Sequence, residues 1–86
     1  MLGRPGEPGR PGEPVEVWLT DGRPGRFVWR GRMYTVMLVL AHESLPAGGA
    51  DRECWRVEAT PLRAVPPATY ELCRDIVADR WSLLRV

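Results

Sequence analysis

Residues 26–40, RFVWRGRMYTVMLVL, decide how the chain is read. Phe27 and Trp29 stand two apart before Gly31, and Tyr34, Val36, Leu38 and Leu40 continue the same spacing after it. Side chains on one face of a pleated strand recur in this way. The stretch therefore reads as a β-hairpin with those six side chains on one apolar face. A two-residue loop of Arg30-Gly31 pairs Trp29 with Arg32, and one of Gly31-Arg32 pairs Trp29 with Tyr34. Both registers keep the same faces together, and Gly in first place suits a type II′ turn. Met33, Thr35, Met37 and Val39 fall on the opposite face. A strand so apolar on both sides is either covered on both within a barrel or presents its methionine face to a partner. A helix over 36–45 is the alternative for so short an apolar run, and the β-branched Val36 and Val39 favour the strand.

Working outward from the hairpin, Val15–Thr20 alternates with Val15, Val17 and Leu19 inward and Trp18 pointing the other way. Asp21-Gly22 and Pro24-Gly25 then read as a loop leading into the hairpin. After it, His42–Arg52 contains Pro46, Gly48 and Gly49 and reads as an exposed connection. His42, Glu43 and Ser44 are adjacent on that loop, which is no way to orient a nucleophile, a base and its partner toward one another. Glu53–Thr60 alternates cleanly, with Trp55, Val57 and Ala59 inward and Cys54, Arg56 and Glu58 outward. Pro61, Pro66 and Pro67 bar regular pairing until about Ala68. Tyr70 and Leu72 then share a face. Pairing them with Leu83 and Trp81 requires a loop of even length, and Asp75–Ala78 sets Arg74 opposite Asp79. The fold class that follows is all-β: a small, strongly twisted antiparallel sheet or SH3-like barrel of five or six strands.

Residues 3–14 repeat the hexamer GRPGEP twice. Glycine at every third position matches collagen, but the repeat is too short for a stable triple helix and suits a solvated, extended tail. The organisation expected is a Gly/Pro-rich disordered tail over 1–14 and a β domain over 15–86. With 86 residues and four tryptophans the domain has little volume to spare for an enzyme cleft, so neither catalysis nor a cofactor is expected. All 12 basic residues are arginine, a bias that reads as base composition of the gene, and a net charge of +1 selects no class of partner. Cys54 and Cys73 lack CxxC spacing and are expected as free thiols of a reducing compartment, facing away from the core. His42 is the only histidine, too few for a zinc site. The N-terminus has no charged-then-apolar signal pattern, and the longest apolar run, Val36–Ala41, is too short to span a bilayer. A cytoplasmic protein without a membrane partner is expected.

Taken together, F-x-W-R-G-R-x-Y-x-V (Phe27 to Val36), W-R-V-E (Trp55 to Glu58), Y-E-L (Tyr70 to Leu72), R-D (Arg74, Asp75) and the closing R-W (Arg80, Trp81) resemble a functionally uncharacterised, mainly actinobacterial family of small domains. The resemblance covers residues 15–86 in segments. It implies a domain that occurs alone or as the C-terminal piece of the Y-family-polymerase-like subunit of the mutasome, a complex for copying damaged DNA. It implies no catalytic residue. The chain departs from the family pattern at Cys54 and Cys73, where relatives commonly carry an aromatic, and over 42–52, where aromatics are also usual.

Two classes of binding function follow. The first is a protein-interaction module using Arg26, Arg30, Arg32, Met33 and Met37, because burial of Phe27 and Trp29 leaves Arg26 and Arg30 with Met33 and Met37 on the other face. The second is a module for single-stranded nucleic acid, because Arg23, Arg26, Arg30 and Arg32 are interleaved with Phe27, Trp29 and Tyr34, the ingredients of a stacking platform in a basic groove.

Overall fold

Asp21-Gly22 (φ 53° and 81°) and Arg30-Gly31 (φ 52° and 76°) both place two successive residues in the left-handed region. Two-residue loops of this type match the twist of the strands they join, and glycine in second place relieves half of the steric cost. Each closes a tight hairpin, so the first turn is no loose loop: β2 resumes at Arg23. The second turn settles the register left open by the sequence, with Trp29 opposite Arg32 and Phe27 opposite Tyr34.

The computed structural model describes residues 12–47, 50–62 and 65–86. They form β1 (Glu13–Thr20), β2 (Arg23–Trp29), β3 (Arg32–Ala47), β4 (Ala50–Thr60), β5 (Ala68–Asp75) and β6 (Arg80–Arg85). The strands follow one another in an antiparallel meander, and β6 pairs back onto β1 through Glu13 opposite Leu83 and Val15 opposite Trp81. The result is a closed six-stranded barrel. There is no helix among the described residues. β1 begins at Glu13, so Glu13 and Pro14 belong to the barrel; the rest of the tail expected over 1–14, up to residue 11, lies outside the described residues.

The interior is filled by Phe27, Trp29, Tyr34, Trp55, Val57, Ala59, Tyr70, Leu72 and Leu83, with Val15, Val17, Val36, Val39 and Trp81 packed against them. Strand β4 follows its alternation without a break, and Trp55, Val57 and Ala59 are all buried. Strand β3 does not. Met37 and Leu40 are each an extra residue against β4, since Val36 faces Ala59, Leu38 faces Glu58, Val39 faces Val57 and Ala41 faces Arg56. Each bulge reverses the alternation, because two residues then oppose one. Leu38 and Leu40, expected on the buried face, are therefore exposed, and Val39 turns inward. A third irregularity lies between β1 and β2, where Trp18 faces Arg26 and Leu19 faces Pro24 so that Gly25 is the extra residue; Leu19 is exposed there. At Gly25 an added Cβ would lie 2.5 Å from the Thr20 hydroxyl oxygen, so no larger residue fits without movement.

The stretch expected as a loop over 42–52 is instead the far end of a long hairpin, β3 and β4 pairing out to Ala47 and Ala50; residues 48–49 at its tip lie outside the described residues. Bulges bend β3 without ending it, so a polar sequence can extend the strand beyond the core. At the β5–β6 turn the register lies two residues from the expected one: Asp75 faces Arg80, Arg74 faces Trp81 and Leu72 faces Leu83. Residues 76–79 form the loop, still even in length, so the faces agree. The Asp75 carboxylate accepts from the Ala78 amide at 3.0 Å, which stabilises the later start. Arg74 still reaches Asp79, diagonally, at 2.9 Å.

Cys54 and Cys73 are disulfide-bonded, which corrects the expectation of free thiols. They do face away from the aromatic core, but β4 and β5 place them directly opposite each other with Cα atoms 4.1 Å apart. Both are buried. A sequence separation of 19 hid a contact that only strand pairing creates. The bond also removes the reducing-compartment argument on which the thiol expectation rested. Under non-reducing denaturation we expect no titratable thiol. Replacing both cysteines by alanine should lower the unfolding free energy by about 3 kcal/mol, the loop-closure value for a crosslink of this span, read as a lower denaturant midpoint. Two thiols in untreated protein would overturn the assignment.

Candidate interaction surface

On the outer face of the first three strands, pairing builds two cross-strand rows. Trp18, Arg26 and Thr35 lie side by side in one row, and Glu16, Val28 and Met33 in the next. Side chains directly opposed on neighbouring strands approach within contact distance, so Arg26 stands beside an indole and Met33 beside Val28. Where β3 parts from β2 beyond Arg26 and Thr35, a shallow groove of about 460 Å³ opens, lined by Arg23, Pro24 and Gly25 on one side and Val36, Met37 and Leu38 on the other. Trp18, Leu19, Met33, Met37, Leu38 and Leu40 are each between 41% and 58% exposed. Large apolar side chains left in water beside such a groove mark a contact surface.

Of the five residues selected from the sequence, the structure brings Arg26 and Met33 together on the outer face and sets Met37 at the groove. Arg26 pairs with no carboxylate among the described residues. Arg30 is committed elsewhere. At the tip of the β2–β3 turn its guanidinium bonds both Glu13 carboxylate oxygens, with Nε at 2.9 Å, and lies 4.5 Å above the Trp29 ring. The same Glu13 accepts from Trp29 Nε1 at 2.9 Å. Arg30 thus fastens the start of β1 to the second hairpin, and the sequence argument placing it beside Met33 fails because the turn backbone redirects it. Arg32 is exposed opposite Trp29, away from Arg26.

Sequence reasoning missed Leu19, Leu38 and Leu40, and nothing in a linear alternation announces a bulge. Trp18 is legible as outward-facing, but nothing in the sequence joins it to Arg26, because Asp21-Gly22 and Pro24-Gly25 read as a loop rather than as a tight turn. The aromatic half of a nucleic-acid platform is lost: Phe27, Trp29, Tyr34 and Tyr70 are all buried. Phe27 and Tyr34 stack at 5.0 Å, and Tyr70 meets Phe27, Trp29 and Tyr34 edge-on at 5.6 to 5.8 Å. Burial pushes the Tyr70 hydroxyl above its ordinary value of 10.0.

At the far end of the barrel His42 stacks on Trp55 at 3.6 Å, and its Nε2 lies 2.9 Å from Glu53. Glu43 falls on the opposite face, so His42, Glu43 and Ser44 do not converge. No cluster of three or more potential metal ligands occurs among the described residues, and no helix among them is long and apolar enough to cross a membrane.

The chain belongs to the family described as domain of unknown function DUF6504, whose model matches residues 6–86. Neither a curated protein nor a solved structure matches it.

The Glu13 clasp has a pH signature. Hydrogen bonding from Arg30 is the main cause that holds the Glu13 carboxyl below its ordinary value of 4.5, against some desolvation. A carboxyl whose value is depressed by folding adds stability above its unfolded value, and that stability is lost as the pH falls through the folded one. Glu13→Gln should therefore lower the melting temperature at pH 7. The gap from wild type should close as the pH drops below about 4.5. An equal gap at pH 7 and pH 3 would refute the clasp.

Proposed function

We propose, for this member of a family of unknown function, a non-enzymatic protein-interaction module whose contact surface is the outer face of β1, β2 and β3. The observation that carries the reading is the exposure of Trp18, Leu19, Met33, Met37, Leu38 and Leu40, with Arg26 directly opposite Trp18. Exposed methionines adapt their shape to a partner, and arginine beside an indole adds an anchor that is polar yet weakly hydrated. The hairpin motif, with its resemblance to the C-terminal piece of the mutasome's polymerase-like subunit, supports a role as an accessory in DNA-damage tolerance. Such a role places the domain in the cytoplasm, where burial of Cys54 and Cys73 limits the access of thiol reductants to their bond. Single-stranded nucleic acid is the second reading. It retains Arg23, Arg26 and Arg32 and the exposed Trp18, but not the stacking aromatics.

Two titrations separate them. Against the purified polymerase-like subunit, Met33→Glu and Met37→Glu should each weaken binding at least about tenfold, as truncation of a central contact does. Against labelled single-stranded DNA at low salt, binding should be weak. A tight interaction whose affinity falls steeply with salt, and whose salt slope flattens in Arg26→Ala, would favour the nucleic-acid reading instead.

A further inference from the structure

β1 pairs with β6 only over Glu13 to Val15; from Glu16 onward it pairs with β2 alone. The barrel wall parts there, and a groove of about 480 Å³ runs along the seam. Pro14, Trp18 and Trp81 supply its apolar lining, while Glu16 on one strand and Arg80 on the other bring opposite charges to its two sides. Neither Glu16 nor Arg80 has an ion-pair partner among the described residues.

The repeat that precedes the barrel has a period suited to such a groove. Prolines stand at 5, 8 and 11, glycines at 3, 6 and 9, and charges at 4, 7 and 10 in the order Arg, Glu, Arg. A polyproline II helix turns once in three residues, so a peptide with this spacing presents one ridge of prolines, one bare glycine ridge and one ridge of alternating charge. Proline ridges of this kind dock in aromatic-lined grooves at little entropic cost, because the helix is formed beforehand. Charges of opposite sign alternate along it, about 9 Å apart, and the two walls of the groove carry one charge of each sign, Glu16 on β1 and Arg80 on β6.

We propose that the seam groove binds the proline-every-third segment, residues 3–11, of a second copy of this chain. Gly12 packs against Ser82 and Leu83, where an added Cβ would lie 2.8 Å from the Leu83 carbonyl oxygen. The chain thus enters β1 beyond the end of the groove marked by Asp79 and Trp81. A segment of the same molecule would have to double back to reach it, whereas one from another copy enters freely. The inference goes beyond the protein-partner reading and uses the β6 edge of β1, sharing Trp18 and Glu16 with the outer face.

The test uses the full chain carrying Pro5→Ala, Pro8→Ala and Pro11→Ala, titrated with a synthetic peptide of residues 3–14 and followed by the indole N–H resonances of Trp18 and Trp81. Saturable shifts of both are expected. Replacing the same three prolines of the peptide by alanine should weaken binding at least about tenfold, as should Trp18→Ala in the protein. Arg80→Glu, a surface change that keeps the fold, should weaken it further as a second probe should Trp18→Ala unfold the domain. The unaltered chain should show the same two resonances moving with its own concentration. Met37→Glu should leave peptide binding unchanged, which distinguishes this groove from the surface of the preceding section. Absence of shifts at millimolar peptide, equal binding of the alanine peptide, or resonances independent of concentration would overturn the proposal.

Discussion

Six strands closed on themselves enclose a narrow interior, and this one is filled by aromatic rings in mutual contact. Phe27, Trp29, Tyr34 and Tyr70 come from β2, β3 and β5, so the cluster ties together strands that are not all neighbours. Offset and edge-on arrangements let the negative ring faces meet positive edges, which adds to what area alone contributes. The demand that Phe27, Trp29 and Tyr34 share the inner face sets the register of the β2–β3 hairpin, since a one-residue slip would turn one strand's rings to water. Closure of β6 onto β1 then follows from covering Trp29 and Tyr70 at the open side, where Glu13 and Arg30 complete the seal.

A barrel of this size cannot bury everything apolar that its strands carry. The bulges at Met37 and Leu40 resolve the conflict in β3. They keep Val36 and Val39 inside, release Met37, Leu38 and Leu40 to the surface and bend the strand so that its polar half runs on past the core. The exposed flank is thus a product of the same irregularity that lets β3 follow the barrel wall. The outer faces of β4 and β5 are charged by contrast, with Arg56 3.9 Å from Glu71.

Arginine has two unlike uses on the molecule. Arg30 is held between an indole and a carboxylate and serves closure, while Arg26, one strand position from a buried phenylalanine, points outward and pairs with no carboxylate among the described residues. A count of basic residues in the hairpin merges the two. Only the direction of each side chain, set by a left-handed turn in one case and by strand parity in the other, separates structure from contact.

The sequence by itself determined the strand content, the unbroken alternation of β4, the burial of Phe27, Trp29, Tyr34, Trp55 and Tyr70, and the outward aim of Arg26 and Met33. These follow from a period of two and from the cost of leaving aromatic rings in water, both local properties of the chain. What only the tertiary structure decided were the positions of the bulges, the two-residue register at the β5–β6 turn, the Cys54–Cys73 bond, the capture of Arg30 by Glu13 and the opening of the seam between β1 and β6. Each depends on which strands lie beside which and on how a sheet must bend to close. That geometry joins residues far apart in the chain, and no local spacing encodes it.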